Sequence, residues 1–338
     1  MEPFLTRSYR RDRIAVRGGD LTVGVWDAVP EPDEDPTTPA PAAVAPEPPI
    51  TPATGYTAVE PPASAANATP TRPRTVLLLH GLTGHHQTFR AVADRLDAYR
   101  VIAPDLRGRG ESYALLGPYG MSAHADDLAL TLEAEDADDV IVVGYSMGGL
   151  AALVLAHRHP ERISALLLVD MWLPRLASPG EDRDATISTI FAPLFDTIER
   201  TYPSTDEYHR FWEQSGRFDV PLSDDVRAAL DYALLGREPE LGIRVQGRAA
   251  WEDATEVVGA EDVLAALNGL THPARLIWRR AGHAEDAAAW DIEGSAESWA
   301  SLLPTLTASE YPSTGRIPLF TEDGVARIRA AVDDLAAG

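Results

Sequence analysis

Residues 140–157 read VIVVGYSMGGLAALVLAH, and this stretch decides the fold. Its first four residues are a wholly apolar run, which is typical of a buried parallel strand. The run Gly149–His157 has a helical pattern, so that Ser146 is predicted on a sharp turn from strand to helix. Gly144 and Gly148 lack a Cβ and so allow neighbouring segments close to such a strained turn. The pattern therefore predicts a serine at a helix N-terminus, where N–H groups and the helix dipole favour a developing oxyanion.

Two more motifs precede this turn in a recognisable order. His80-Gly81-Leu82 follows an apolar strand predicted at Thr75–Leu79, and the loop at residues 104–112, PDLRGRGES, follows a strand predicted at Arg100–Ala103. With GYSMGG they make three landmarks. On these motifs the chain resembles the α/β-hydrolase superfamily, in the branch of lipase/esterase-like and C–C-bond hydrolases that carry a helical cap. The resemblance is good over residues 13–28 and 74–170 and looser in the C-terminal part.

The arrangement of predicted elements agrees with that fold class. Two short strands are expected at residues 13–28, and further apolar strands at Ala165–Val169 and Ala274–Trp278 alternate with helices. This alternation predicts an α/β protein whose mostly parallel sheet is covered by helices on both faces. Helices are also predicted near Thr88–Leu96 and at Ser295–Leu302. A final helix is predicted at Glu322–Leu335, after a weak strand near Leu306–Ala308.

Two segments stand apart from this core. Residues 30–73 hold 13 of the 27 prolines, with no Lys or Arg between Asp27 and Arg72, and are predicted to be a disordered Pro/Ala-rich insertion. Residues 171–258 contain many aromatics and no comparable strand, so that a helical cap is predicted there, with one helix at Val226–Leu235. The core is accordingly assigned to residues 1–29, 74–170 and 259–338.

The resemblance implies a reactive serine with a backbone oxyanion hole. Ser146 would be the nucleophile, and the N–H groups of Leu82 and Met147 would bind the oxyanion. Such a serine needs a base, and the base needs an acid to orient it. The acid is expected after the strand at Ala274–Trp278, where Glu285 and Asp286 are equal candidates. Asp170, at the end of the strand Ala165–Val169, is the alternative.

The triad histidine is missing from its usual place. It should follow the last strand, but the segment Tyr311–Phe320 carries Arg316 there, and no histidine occurs from Ala284 onward. An arginine cannot be the base, because its guanidinium stays protonated and accepts no hydrogen bond. Three hypotheses follow. Another histidine takes the role, His283 first and His86 second; or the protein binds a ligand with little or no turnover; or a different reaction uses the oxyanion hole and a fixed cation.

The cap aromatics predict the chemistry of the substrate. Some of them should roof the cleft above Ser146, and an apolar roof favours a small apolar carbonyl or ester substrate. His86 and Trp172 are further candidates for the wall of this cleft. The sequence leaves the identity of the substrate and the oligomeric state open.

Composition narrows the functional classes. The 338 residues include no cysteine, so that disulfides and thiolate metal sites are excluded. The formal net charge of −23 disfavours nucleic acid and anionic membranes as partners. The N-terminal residues do not resemble a signal peptide, and no apolar run is long enough to span a bilayer, so that a cytoplasmic location is expected. No P-loop, dinucleotide or H-E-x-x-H motif occurs, and neither a cofactor nor a metal is predicted.

Overall fold

The computed structural model describes residues 7–29, 72–171, 178–279, 303, 305–312 and 316–338. Most of the predicted proline-rich insertion, residues 30–71, lies outside the described residues. So does the helix predicted at residues 295–302.

The described strands and helices follow the predicted order closely. The strands are β1 (Tyr9–Val16), β2 (Gly19–Trp26), β3 (Thr75–Leu79), β4 (Arg100–Pro104), β5 (Val140–Tyr145), β6 (Ile163–Val169), β7 (Leu234–Arg237), β8 (Glu240–Ile243), β9 (Ala274–Arg279) and β10 (Leu306–Tyr311). The helices are α1 (Arg90–Arg95), α2 (Met121–Ala134), α3 (Met147–Arg158), α4 (Arg183–Glu199), α5 (Thr205–Gln214), α6 (Asp224–Ala233), α7 (Gly247–Thr255), α8 (Glu261–Asn268) and α9 (Glu322–Ala337).

Eight strands form one sheet in the order β1-β2-β4-β3-β5-β6-β9-β10. β2 is antiparallel to both β1 and β4, whereas the other neighbours are parallel. The carboxyl ends of the parallel strands therefore lie at one edge, and the loops that carry the three sequence motifs meet there. The predicted fold class, a mostly parallel sheet between helices, is confirmed.

The apolar strands are buried on both faces. Leu77 and Val142 belong to the core under α2 and α3, while Val76 and Ile141 belong to a second core under α1 and α9. Successive side chains of a strand point to opposite faces, so that a strand covered on both sides must be apolar throughout. This requirement explains why β3 and β5 show no alternation of polar and apolar residues.

The segment between β6 and β9 differs from the prediction of an all-helical region. We call its described residues 178–258 the insert. The insert contains α4 to α7, but it also contains the antiparallel hairpin of β7 and β8. Gly236 has φ +97° within β7, a conformation that favours glycine, and Pro239 in the turn cannot continue a helix. The helix predicted at Val226–Leu235 consequently ends at Ala233, before the hairpin.

Two further differences concern short elements. Helix α8, which the sequence analysis did not predict, packs on α3 beside the sheet. The helix predicted from Thr88 is a 3-10 turn, His86–Phe89, before it becomes α1. Among the described residues, no helix is long and apolar enough to cross a membrane.

Candidate functional site

Ser146 lies on the strained turn that the sequence predicted between β5 and α3. Its backbone has φ 52° and ψ −122°, which few non-glycine residues adopt. A Cβ on Gly144 would overlap the carbonyl oxygen of Gly148, and one on Gly148 would overlap that of Leu79. The turn is therefore possible only with glycines on both sides of the serine. No described residue forms a hydrogen bond with the Ser146 hydroxyl.

The loop after β3 lies directly against this serine. A Cβ on Gly81 would come within 3.2 Å of the Cβ of Ser146. A cavity of about 20 Å³ borders Ser146, Leu82 and Met147, and such a volume holds about one water-sized group. Within the described residues, the backbone N–H groups of Leu82 and Met147 have no hydrogen-bond acceptor. Two donors without acceptors thus flank the serine at the N-terminus of α3.

His80 holds this loop in place and does not face the cavity. Its Nδ1 is 2.8 Å from the carbonyl oxygen of Gly81, and its Nε2 accepts a hydrogen bond of 2.9 Å from the N–H of Leu106. Burial lowers the pKa of His80 to about 3, so the ring is neutral and suits one donor and one acceptor bond. His80 therefore joins the loop after β3 to the loop after β4.

A buried ion pair lies beneath the same loop. The Arg109 side chain donates from Nε to the carbonyl oxygen of Leu82 at 3.0 Å, and its Nη2 is 3.8 Å from the Met147 sulfur. Asp253, on α7 of the insert, pairs with Arg109 and also accepts from His124 Nε2 at 3.0 Å. Although burial disfavours its charged form, Arg109 and His124 lower the pKa of Asp253 to about 2. The Asp253 carboxylate, which belongs to the insert, is thus ionised and bonded to Arg109 and His124 of the core.

A larger cavity of about 200 Å³ opens above Ser146. Its wall from the insert is mainly apolar, with Ile190, Phe191, Leu194, Trp212, Phe218 and Leu230. Ile317 and Phe320 complete this wall from the segment after β10. Arg217 also lines the cavity and is partly buried, and its guanidinium has no hydrogen bond or ion pair with a described residue. The cavity therefore suits an apolar molecule, one end of which contacts Ser146.

Comparison with known proteins agrees with this geometry. A family model for the alpha/beta hydrolase fold matches residues 74–209, which contain all three sequence motifs. Two solved structures cover nearly the whole chain: the thioesterase domain from the curacin biosynthetic pathway (TM-score 0.64, 17% identity, 97% of this chain and 99% of that one) and E-2-(acetamidomethylene)succinate hydrolase (TM-score 0.64, 15% identity, 98% and 100%). The chain has the α/β-hydrolase fold.

Relatives with higher sequence identity match shorter segments of this α/β-hydrolase-fold chain. Lipase LipV of Mycobacterium tuberculosis is 37% identical over 111 residues, which are 33% of this chain and 41% of the lipase. A putative 2-succinyl-6-hydroxy-2,4-cyclohexadiene-1-carboxylate synthase of Bacillus subtilis is 32% identical over 168 residues, 48% of this chain and 60% of the synthase. The match thus spans less than two thirds of either relative.

The two histidines after the HGL motif lie in different surroundings. His85 lines the large cavity, and its buried Nδ1 has no hydrogen-bond partner among the described residues. Burial lowers the pKa of His85 to about 4. His86, a sequence candidate for the cavity wall and for the base, is fully buried and does not border the cavity with Ser146. Its Nδ1 is 2.7 Å from Asp105 Oδ1 and its Nε2 is 2.8 Å from the Tyr9 hydroxyl.

Asp105 has a structural position at the centre of the second motif. It also accepts from the N–H of Glu111 at 2.8 Å and from the Tyr232 hydroxyl at 2.5 Å. Burial opposes its ionisation, but the neighbouring histidines hold its pKa well below the usual range. Because Tyr232 belongs to α6, this carboxylate is a second bridge between the core and the insert.

Arg316 follows β10, where the sequence predicted it, but its side chain points to the insert. Its Nη1 is 2.5 Å from Asp219 Oδ1, and both side chains are about half exposed, at 51% and 56%. The neighbouring residue, Ile317, borders the cavity with Ser146, whereas Arg316 does not. Asp170, the alternative acid, does border this cavity, at φ +47° after β6.

Several predicted site residues lie outside the described residues: Glu285, Asp286, His283 and Trp172. Their roles as acid, base and cavity wall therefore stay predictions. Within the described part of the chain, the structure brings Ser146, Leu82, Met147 and Asp170 together.

Sequence analysis did not identify Arg109, Asp253 or Arg217 as site residues. Arg109 lies inside the PDLRGRGES motif, and that position was the available signal. Asp253 and Arg217 come from the insert, where no motif distinguishes them from the other charged residues.

Proposed function

We propose that the protein is a serine hydrolase that acts on an ester, lactone or related carbonyl substrate and needs no cofactor. The observation that carries this proposal is Ser146 on its strained turn, next to two N–H donors without acceptors. A carbonyl oxygen in the small cavity would gain negative charge where these donors and the N-terminus of α3 stabilise it. The matched lipase supports a hydrolytic reaction, although the match covers only part of that protein.

The proposed reaction proceeds through an acyl-enzyme. The Ser146 oxygen bonds to the substrate carbonyl carbon while a base takes the hydroxyl proton. The tetrahedral intermediate then expels the alcohol, which receives that proton. Water next attacks the acyl group by the same route and releases the acid and free Ser146.

The base and acid in this proposal come from the sequence that follows β9. His283 is the proposed base, and Glu285 or Asp286 is the proposed acid, with Asp170 as the alternative. His86 is a poor candidate, because both of its ring nitrogens are close to other side chains. Arg316 is proposed to have a structural role, since it pairs with Asp219.

We further propose that the insert acts as a cap and selects the substrate. Apolar side chains of α4 to α6 favour a substrate with an apolar acyl chain. The guanidinium of Arg217 in this wall has no partner among the residues that the structure describes, and a guanidinium binds carboxylates well. Its nearest acidic neighbour in sequence, Asp219, is already paired with Arg316. The cavity is therefore suited to an ester that also carries an anionic group.

The test of hydrolysis uses p-nitrophenyl acetate and butyrate with three proteins. These are the unaltered chain, Ser146→Ala, and Ser188→Ala as a control on the exposed face of α4. Turnover by the first and third proteins, with a loss of at least about 10³-fold in Ser146→Ala, is the expected result. Equal turnover by all three would exclude Ser146 as the nucleophile.

A second candidate function is ligand binding without turnover. It is favoured by the position of Arg316 and by the absence, among the described residues, of a hydrogen-bond partner for the Ser146 hydroxyl. A third is a non-hydrolytic reaction in the same pocket, with Arg217 as the fixed cation. Arg316→His separates the first two cases: activity that appears only in this variant favours the binding protein, whereas activity in the unaltered chain favours the hydrolase.

A further inference from the structure

The Arg109–Asp253 pair connects the insert to the residues that flank Ser146. Both side chains are fully buried, and Arg109 is among the largest fully buried side chains of the protein. Burying a guanidinium is costly unless its charge is compensated and its donors are bonded. The partners of this arginine therefore indicate what its burial achieves.

Two of its contacts are with the residues whose N–H groups lack an acceptor among the described residues, and a further bond goes from Nη1 to the carbonyl oxygen of Arg107 at 3.0 Å. Arg109 Nε bonds to the carbonyl oxygen of Leu82, and Nη2 contacts the Met147 sulfur. The Leu82 carbonyl belongs to the peptide that follows the Leu82 N–H. Fixing this carbonyl restricts rotation of the Leu82 backbone, and with it the direction of the N–H next to Ser146.

Asp253 fixes Arg109 from the other side. Besides pairing with Arg109, it accepts from the N–H of Gly120 at 2.6 Å and from His124, so that both of its oxygens are bonded. The main chain of Arg109 is also tied to the insert, because it forms a bridge with Val245 just before α7. Asp253 borders the small cavity that contains Ser146, Leu82 and Met147.

We propose that Arg109 and Asp253 are positioning residues that make the geometry of the oxyanion hole depend on the seating of helix α7. The oxyanion hole itself rests on the proposed function. Preorganised donors are effective because they do not reorient during the reaction. A change in the contact between α7 and the core would therefore alter catalysis without contact between α7 and the substrate.

The chain contains its own control for this proposal. Arg107 lies in the same loop as Arg109, is 2% exposed and forms a bidentate pair with Asp127 at 2.7 and 3.0 Å. Its remaining bonds go to the carbonyl oxygens of Arg17 and Leu116, which do not border either cavity. Substitutions in the Arg107–Asp127 pair therefore weaken a buried ion pair of the same kind, whose side chains do not bond to Leu82 or Met147.

The experiment compares Arg109→Lys with Arg107→Lys, and Asp253→Asn with Asp127→Asn. Turnover of p-nitrophenyl butyrate gives kcat and KM, and inhibition by an alkylboronic acid reports affinity for a tetrahedral adduct. Arg109→Lys and Asp253→Asn are expected to lower kcat by about 10- to 100-fold with KM within about twofold, and boronate affinity should fall in parallel. The Arg107 and Asp127 variants should have a kcat, calculated per folded molecule, within about threefold of the kcat of the unaltered chain.

Two results would overturn the proposal. One is a loss of kcat that is as large in the Arg107 and Asp127 variants as in the Arg109 and Asp253 variants. Such a result would mean a general loss of packing. The other is tighter boronate binding by Asp253→Asn, which would mean that Asp253 acts through its charge on the anionic adduct. Should these variants not fold, His124→Gln leaves the Arg109–Asp253 pair intact and is expected to lower kcat by about two- to tenfold; unchanged kcat would then count against the proposal.

A second measurement separates this proposal from the proposed function. If the unaltered chain has no turnover, the hydrolase assignment fails, but a crystal structure of Arg109→Lys still tests the positioning role. A Leu82 N–H whose direction has turned by more than about 30° would support it, and an unchanged N–H direction would refute it.

Discussion

The two sides of the cavity above Ser146 are built differently. The floor, which comprises Gly81, Leu82 and Ser146 together with Met147 of the adjoining small cavity, is held by glycine contacts, by His80 and by the buried Arg109. The roof, formed by the cavity-lining residues between the start of α4 and the end of α6, consists mainly of apolar side chains and of Arg217, whose guanidinium has no partner in the described part of the chain. The floor fixes backbone groups in direction, whereas the roof offers a surface with few directional bonds. Under the proposed function, the floor would supply a reaction centre of strict geometry and the roof a surface that selects the substrate.

The largest expected effect is at the ion pair that joins the insert to the floor. Asp253→Asn leaves the buried Arg109 guanidinium without a compensating charge, which should lower the free energy of unfolding by about 3–5 kcal/mol. Urea unfolding measures this loss. Asp262→Asn, whose exposed carboxylate bonds to the Ser122 hydroxyl, is the control and should change stability by less than about 1 kcal/mol. A small loss in Asp253→Asn would show that the floor does not need the insert.

Gly148→Ala tests the backbone packing of the floor. The added Cβ would overlap the carbonyl oxygen of Leu79, which cannot move without distorting β3, so a loss of at least about 1–3 kcal/mol is expected. Gly149→Ala is the matched control, because its Cβ would meet the flexible side chain of Met171. Thermal unfolding of both variants gives the comparison. Equal midpoints would mean that the turn around Ser146 tolerates a side chain.

The pH dependence of stability should reveal the buried His80. Its pKa is lowered from an ordinary value of 6.5 to about 3, so the unfolded state binds a proton that the native state does not. Its contribution is complete above about pH 6.5 and is lost as the pH falls toward the folded value. In His80→Gln the slope of unfolding free energy against pH should decrease by about 1.4 kcal/mol per unit between pH 6 and 4. An equal slope in the unaltered protein and in His80→Gln would contradict this prediction.

The smallest expected effect is at the rim of the roof. Because the Arg316–Asp219 pair is about half exposed on both sides, Arg316→Gln should change the free energy of unfolding by less than about 1 kcal/mol. The same variant removes the Arg316 partner of Asp219, which is two residues from Arg217 in the sequence. When Arg316→Gln is added to the Ser146→Ala protein, binding of the anionic ester monomethyl adipate should therefore weaken more than binding of the neutral ester methyl hexanoate. Calorimetric titration measures the affinity of both ligands with and without the substitution. If the affinity for monomethyl adipate does not change, Arg217 is not an anion site.

Much of the floor was predictable because its geometry depends on backbone chemistry. Apolar strands, the glycines around Ser146 and the HGL motif each have a local sequence signature, and the structure places them as expected. The hairpin of β7 and β8 was missed because a helical pattern runs into it and the breaking residues, Gly236 and Pro239, were not weighed. The bond from Arg109 to Leu82 joins positions that are 27 residues apart in the sequence. Asp253, the acidic partner of Arg109, is 144 residues from it in the sequence.

By itself, the sequence determined the layered sheet and the position of Ser146 directly after β5, and it predicted Leu82 and Met147 as the oxyanion donors. These features follow from local rules, since strand burial, tight turns and helix ends constrain residue type position by position. Only the tertiary structure decided which charges meet: Asp253 with Arg109, and Arg316 with Asp219, whereas the Arg217 guanidinium meets no charge among the described residues. Charged side chains are long and can pair with many others, and the choice among them is made by how the insert seats on the sheet.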